Sequence, residues 1–115
     1  MEYIGVMDPE CIELCDAINL CPGIQTIESC CGHGKAPYRI WIYTKDLEKI
    51  TPVLYYADSC HGAPWGWEVC VTTDCGMSFP KFLLEGPVGD YVGADCIAQL
   101  INKFVIELKT EGQIV

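Results

Sequence analysis

Apolar positions recur along the chain with two different periods. From Pro9 to Cys21, the residues Cys11, Leu14, Cys15, Ile18 and Cys21 share one face at 100° per residue, while Glu10, Glu13 and Asp16 lie opposite. That is an amphipathic helix, with Asp8 at the N-cap and Pro9 at the first helical position, where a missing N–H costs nothing. Pro22-Gly23 ends it, and the period shortens to two. "IQTIES" places Ile24 and Thr26 on one side and Gln25 and Ile27 on the other, and "YRIWIYT" alternates Tyr38, Ile40 and Ile42 against Arg39, Trp41 and Tyr43. The turn "CCGHGKAP" joins these two strands into a hairpin.

The second half repeats this order. "KDLEKITPVLYYADSC" carries Leu47, Ile50, Leu54 and Ala57 at helical spacing, with Pro52 either kinking the helix or following a true start at Thr51. "GWEVCVTTD" and "SFPKFLLEG" read as strands around the turn "DCGM", the second at a sheet edge because Pro80 cannot donate to a ladder. "DYVGADCIAQLINKFVIELKTEG" is the longest helix, capped by Asp90, with a buried stripe of Cys96, Ile97, Leu100, Ile101, Phe104 and Leu108. The order αββαββα predicts an α+β two-layer sandwich: a four-stranded, mostly antiparallel sheet with the helices on one face. With 115 residues and no visible linker, the chain is expected to form a single domain over 1–115.

Charge and cysteine content narrow the function classes. The formal net charge is -9, and seven basic residues against sixteen acids supply no footprint for direct nucleic-acid binding. No apolar run approaches the roughly 20 residues that span a bilayer, and the N-terminus has neither the basic region nor the apolar stretch of a secretory leader. The expected location is the cytoplasm, where nine cysteines serve as thiols or metal ligands. No P-loop, dinucleotide fingerprint, catalytic carboxylate pair or Ser-His-Asp elbow is present, so no residue is assigned a catalytic role and a binding protein is favoured over an enzyme.

Three uses of the remaining residues stay open. Glu10, Glu13 and Asp16, with the loop tryptophans Trp65 and Trp67, form an acidic and aromatic surface suited to a protein partner with a basic face, although the tryptophans equally suit a plug over the end of the sheet. Gly32, His33 and Gly34, with Lys35 and Arg39, form a turn whose N–H groups and charges suit a small anion such as a nucleotide, on which Trp41, Trp65, Trp67, Tyr55 and Tyr56 could stack. Cys30, His33, Cys60, His61 and Cys75 all fall at turns or element ends and have the donor types of a zinc site.

The runs "GIQTIESCCGHGKAPYRIWI" and "WEVCVTTDCGMSFPKFLLEGP" resemble a group of small proteins from phages and prophages of Gram-positive bacteria. The resemblance implies an accessory protein that acts by stoichiometric binding. One form is an acidic anti-defence inhibitor occupying the basic surface of a host nucleic-acid-binding protein; another is a homo-oligomeric nucleotide sponge. "TIESCCGH" is also similar, more distantly, to the Tyw3 family of wybutosine-synthesis methyltransferases, matching at Thr26, Ser29, Cys30 and Gly32. That similarity implies an enzyme dependent on S-adenosylmethionine, although His33 stands where the family carries arginine.

Overall fold

The computed structural model describes residues 8–57, 64–72 and 81–112. Helix α1 (Pro9–Leu20) leads into strand β1 (Ile24–Cys30), and a short 3₁₀ turn at Gly32–Gly34 leads into strand β2 (Tyr38–Thr44). A second 3₁₀ turn at Leu47–Ile50 runs into helix α2 (Thr51–Ala57), followed by strands β3 (Glu68–Thr72) and β4 (Lys81–Gly86) and helix α3 (Tyr91–Thr110). The strands form one sheet in the order β1-β2-β4-β3, with every pairing antiparallel. The α+β sandwich expected from the element order is therefore the fold. No helix among the described residues is long and apolar enough to cross a membrane.

Strand β2 shows how the two layers arise. Tyr38, Ile40, Ile42 and Thr44 are buried, while the alternating Arg39, Trp41 and Tyr43 are only partly covered. The first set faces the helices and the second faces the uncovered side of the sheet, as a period of two requires. Tyr38, Ile40, Ile42 and Leu84 meet Leu14, Ile18, Ile97 and Ile101 in one continuous core. The hydroxyl of Tyr38 is taken up by a hydrogen bond to the Glu10 carbonyl at 2.8 Å, which fixes the sheet to the first turn of α1.

Three expectations are corrected. The strand after Pro80 is interior, paired with both β2 and β3, because it begins at Lys81 with its ladder donors intact; Pro80 itself lies outside the described residues. In α3 the buried line runs through Gly93, Ala94, Ile97, Ala98, Ile101 and Val105, whereas Cys96, Leu100, Phe104 and Leu108 are half-buried on its flank. The inner face is built partly of glycine and alanine, which a search for large apolar residues passes over, and α3 packs on α1 there. In β1 the register slips between Thr26 and Glu28, leaving Ile27 as a bulge that is exposed. The extra residue reverses the phase of the strand end. Ser29 consequently lies opposite Ile40 and turns toward Cys11 and Cys15, while Cys30 lies opposite Arg39 on the uncovered side.

The helix starts are built differently. Asp90 accepts the Gly93 N–H at 3.0 Å in a normal cap, and its other oxygen accepts the indole N–H of Trp67 at 2.9 Å. Trp67 is thereby held flat against Gly86, where a Cβ would overlap the indole, and its ring stands 5.2 Å from that of Tyr38. Asp8 heads α1 but makes no side-chain cap bond.

Candidate metal centre

The turn after β1 folds back on itself by three successive left-handed residues, Gly32, His33 and Gly34, with φ of 79°, 53° and 74°. Glycine is needed at the first of these because a Cβ on Gly32 would stand 2.9 Å from the Pro37 carbonyl oxygen. Lys35 and Ala36 both donate their N–H to the Gly32 carbonyl, closing the turn. His33 is the single described residue other than glycine at positive φ, and this conformation carries its ring back over Cys31.

The Asp8 carboxylate that does not cap α1 accepts the Cys31 N–H at 3.0 Å instead, tying the head of α1 to the hairpin. The His33 ring lies between the two groups: Nδ1 is 3.7 Å from Cys31 Sγ and Nε2 is 3.9 Å from Asp8 Oδ2. One donor atom from each of Asp8, Cys31 and His33 lies within 4.8 Å of the others. Tetrahedral zinc with bonds of about 2.3 Å to sulfur and 2.0 Å to nitrogen separates those two ligands by about 3.5 Å, so the sulfur–nitrogen spacing is close to that of a formed site.

Electrostatics explain what such a site would need. The Cys31 N–H, followed by a hydrogen bond from the Cys31 thiol and the nearby imidazole, holds the Asp8 carboxyl below its usual range against the opposing effect of burial. Burial pushes the Cys31 thiol up, and the facing carboxylate adds to this. Tyr91, at the start of α3, is likewise pushed up by burial and by its hydrogen bond with Cys31. Cys31 is 2 % exposed, whereas the His33 side chain is 70 % exposed, so the cluster is closed on the sulfur side and open on the imidazole side. A buried thiol held protonated is a poor free nucleophile, but a divalent cation on the open side would stabilise the thiolate.

Of the metal set expected from the sequence, Cys30, His33, Cys60, His61 and Cys75, one member stands in this cluster. His33 takes part, but the sulfur comes from Cys31; Cys30, beyond the bulge, faces the uncovered side and its sulfur accepts the Gly32 N–H at 3.4 Å. Cys60, His61 and Cys75 lie outside the described residues. Asp8 was legible only as a cap, since nothing in the sequence links it to a thiol 23 positions away. Tyr91 gives no sequence signal at all.

Two of the turn donors considered for an anion are engaged within the chain: Gly32 N–H with Cys30 Sγ and His33 N–H with Cys31 Sγ. Lys35 is exposed, and Arg39 forms a 2.7 Å ion pair with Glu85 on the far face of the sheet. Of the acidic and aromatic set, Glu10 and Glu13 are exposed and Asp16 is half-buried. Trp65 is 86 % exposed, while Trp67 is a core residue at 6 % and offers no surface for contact.

Comparison with known proteins adds no relative: no family model, curated protein or solved structure matches the chain.

Proposed function

We propose that the protein is a zinc-holding binding module. Asp8, Cys31 and His33 grip one cation, and this clamp sets the first turn of α1 so that Glu10 and Glu13 face a basic protein partner. The observation that carries the reading is the convergence of carboxylate, thiol and imidazole within 4.8 Å at the junction of α1 and the hairpin. Ligand type favours zinc: one soft sulfur, one imidazole and one carboxylate, with a fourth position open to water or to a partner's side chain. Glu10 and Glu13 follow Asp8 within the next turn and a half, so whatever fixes Asp8 also fixes their direction. In keeping with the resemblance to phage and prophage proteins, the partner is a host protein with a basic surface.

The test is titration of metal-free protein with cobalt(II), followed by displacement with zinc. A thiolate-to-cobalt absorption band is expected at one equivalent, lost in Cys31→Ser and retained in Cys30→Ser. Absence of the band in the unsubstituted protein, or its loss only in Cys30→Ser, would overturn the reading.

A further inference from the structure

Away from the metal corner, α2 and the C-terminal half of α3 leave a cleft of about 540 Å³ between them. Its walls include Tyr55, Tyr56, Phe104 and Leu108, with Glu48 and Lys49 at the turn that enters α2. The volume lies within the range of sites that take small molecules. The rings are inclined to one another: Tyr55 and Tyr56 meet at 74° with centroids 5.0 Å apart, and Tyr56 and Phe104 at 46° with centroids 5.6 Å apart. A cation brought over the face of any of these rings is attracted by the ring quadrupole.

We propose that this cleft binds an alkylammonium cation that carries an apolar body. Charge favours a cation over an anion. The chain carries a net charge of -9, Glu48 lines the cleft, and Glu107 is near enough to Tyr56 to join burial in pushing its phenol up. Lys49 is the opposing feature, and its placement limits its influence. Its stem lies against Gly23, where a Cβ would stand 2.9 Å from Lys49 Cγ, and the residue also lines a neighbouring cleft with Tyr43 and Lys45. Lys49 thus borders two openings rather than this one alone. Leu108 and Phe104 provide the apolar floor for the body of the ligand.

Choline and its uncharged isostere 3,3-dimethylbutan-1-ol separate the effect of charge from that of shape. Titrated into labelled protein and followed by amide and aromatic NMR shifts, choline should saturate one site centred on Tyr55, Tyr56 and Phe104. The alcohol should bind at least about fivefold more weakly, the difference expected from cation–π attraction at a partly exposed site. Hexyltrimethylammonium should bind more tightly than choline because its chain reaches the floor. Tyr55→Leu, at an exposed ring whose loss leaves the core intact, should weaken choline about fivefold, and Lys49→Ala should strengthen it about twofold. Equal binding of choline and the alcohol, tighter binding of naphthalene-2-sulfonate than of hexyltrimethylammonium, or shifts centred elsewhere would each overturn the proposal. Cys31→Ser should leave the choline titration unchanged, so failure of the metal reading and failure of this one are read separately.

Discussion

Helices α1 and α3 pack against each other and both begin at an aspartate, yet they use it in opposite ways. Asp90 caps α3 and holds the Trp67 indole, so both its oxygens serve the fold. Asp8 leaves its helix uncapped and reaches across to Cys31 and His33. The helices differ in the same way along their lengths. The inner face of α3 is alanine and branched aliphatic, whereas that of α1 carries Cys11 and Cys15, followed by Cys21 at its end.

The contrast should break first at high pH. Burial raises the thiols of Cys15 and Cys21 to about 11 from an ordinary value of 9.0. A group whose native pKa is raised stabilises the fold fully below its unfolded pKa, and that contribution is lost as pH rises through the native value. Stability should therefore fall between about pH 9 and 11, by roughly 2–3 kcal/mol for each thiol. Urea titrations across this window should show a shallower decline in Cys15→Ala/Cys21→Ala, and an equal decline would show that the sulfur core of α1 is not its source.

Next in size is Asp90→Ala, which removes a cap and strands the Trp67 N–H. A loss of about 2–3 kcal/mol in chemical denaturation is expected, with cobalt binding unchanged. Asp8→Ala should cost the metal-free protein about 1.5 kcal/mol, the low end for a hydrogen bond to a charged group, while lowering cobalt affinity at least tenfold. If the two aspartate variants destabilise equally and neither affects metal binding, the division of labour between the helices is wrong. Smallest is Cys30→Ser, at a thiol on the uncovered side, which should move stability by under about 0.5 kcal/mol and leave cobalt binding intact.

Much of the frame was legible in the sequence, because periods of 3.6 and two are direct consequences of which side of each element meets the core. Cys11, Leu14, Cys15 and Ile18 and the alternation of β2 lie where that logic puts them. It weakened wherever one residue altered the phase: nothing in "IQTIESC" announces that Ile27 bulges, yet that residue decides that Cys30 faces away and that the sulfur of the cluster is Cys31. It weakened again where contacts join distant segments, as between Asp8, the hairpin turn and Tyr91. Trp67 admits two readings from the sequence, a contact residue or a plug over the end of the sheet, and the second is what the structure shows. Its loop composition leaves that choice open, and the partner that buries it, Gly86, is visible only once β4 lies beside β3.

The bulge has a consequence for how the molecule keeps to itself. Among the described residues, strand β1 ends the sheet and pairs on one side only, so its outer rim could recruit a strand from another copy. Ile27 interrupts that rim, and Asn19 from α1 blocks it further by accepting the Thr26 N–H and donating to the Thr26 hydroxyl, both at 2.8 Å. Deleting Ile27 would straighten the rim and turn it into a template for edge-to-edge aggregation, detectable by light scattering. The same residue that turns Cys30 away from the helices thus interrupts the rim of the sheet.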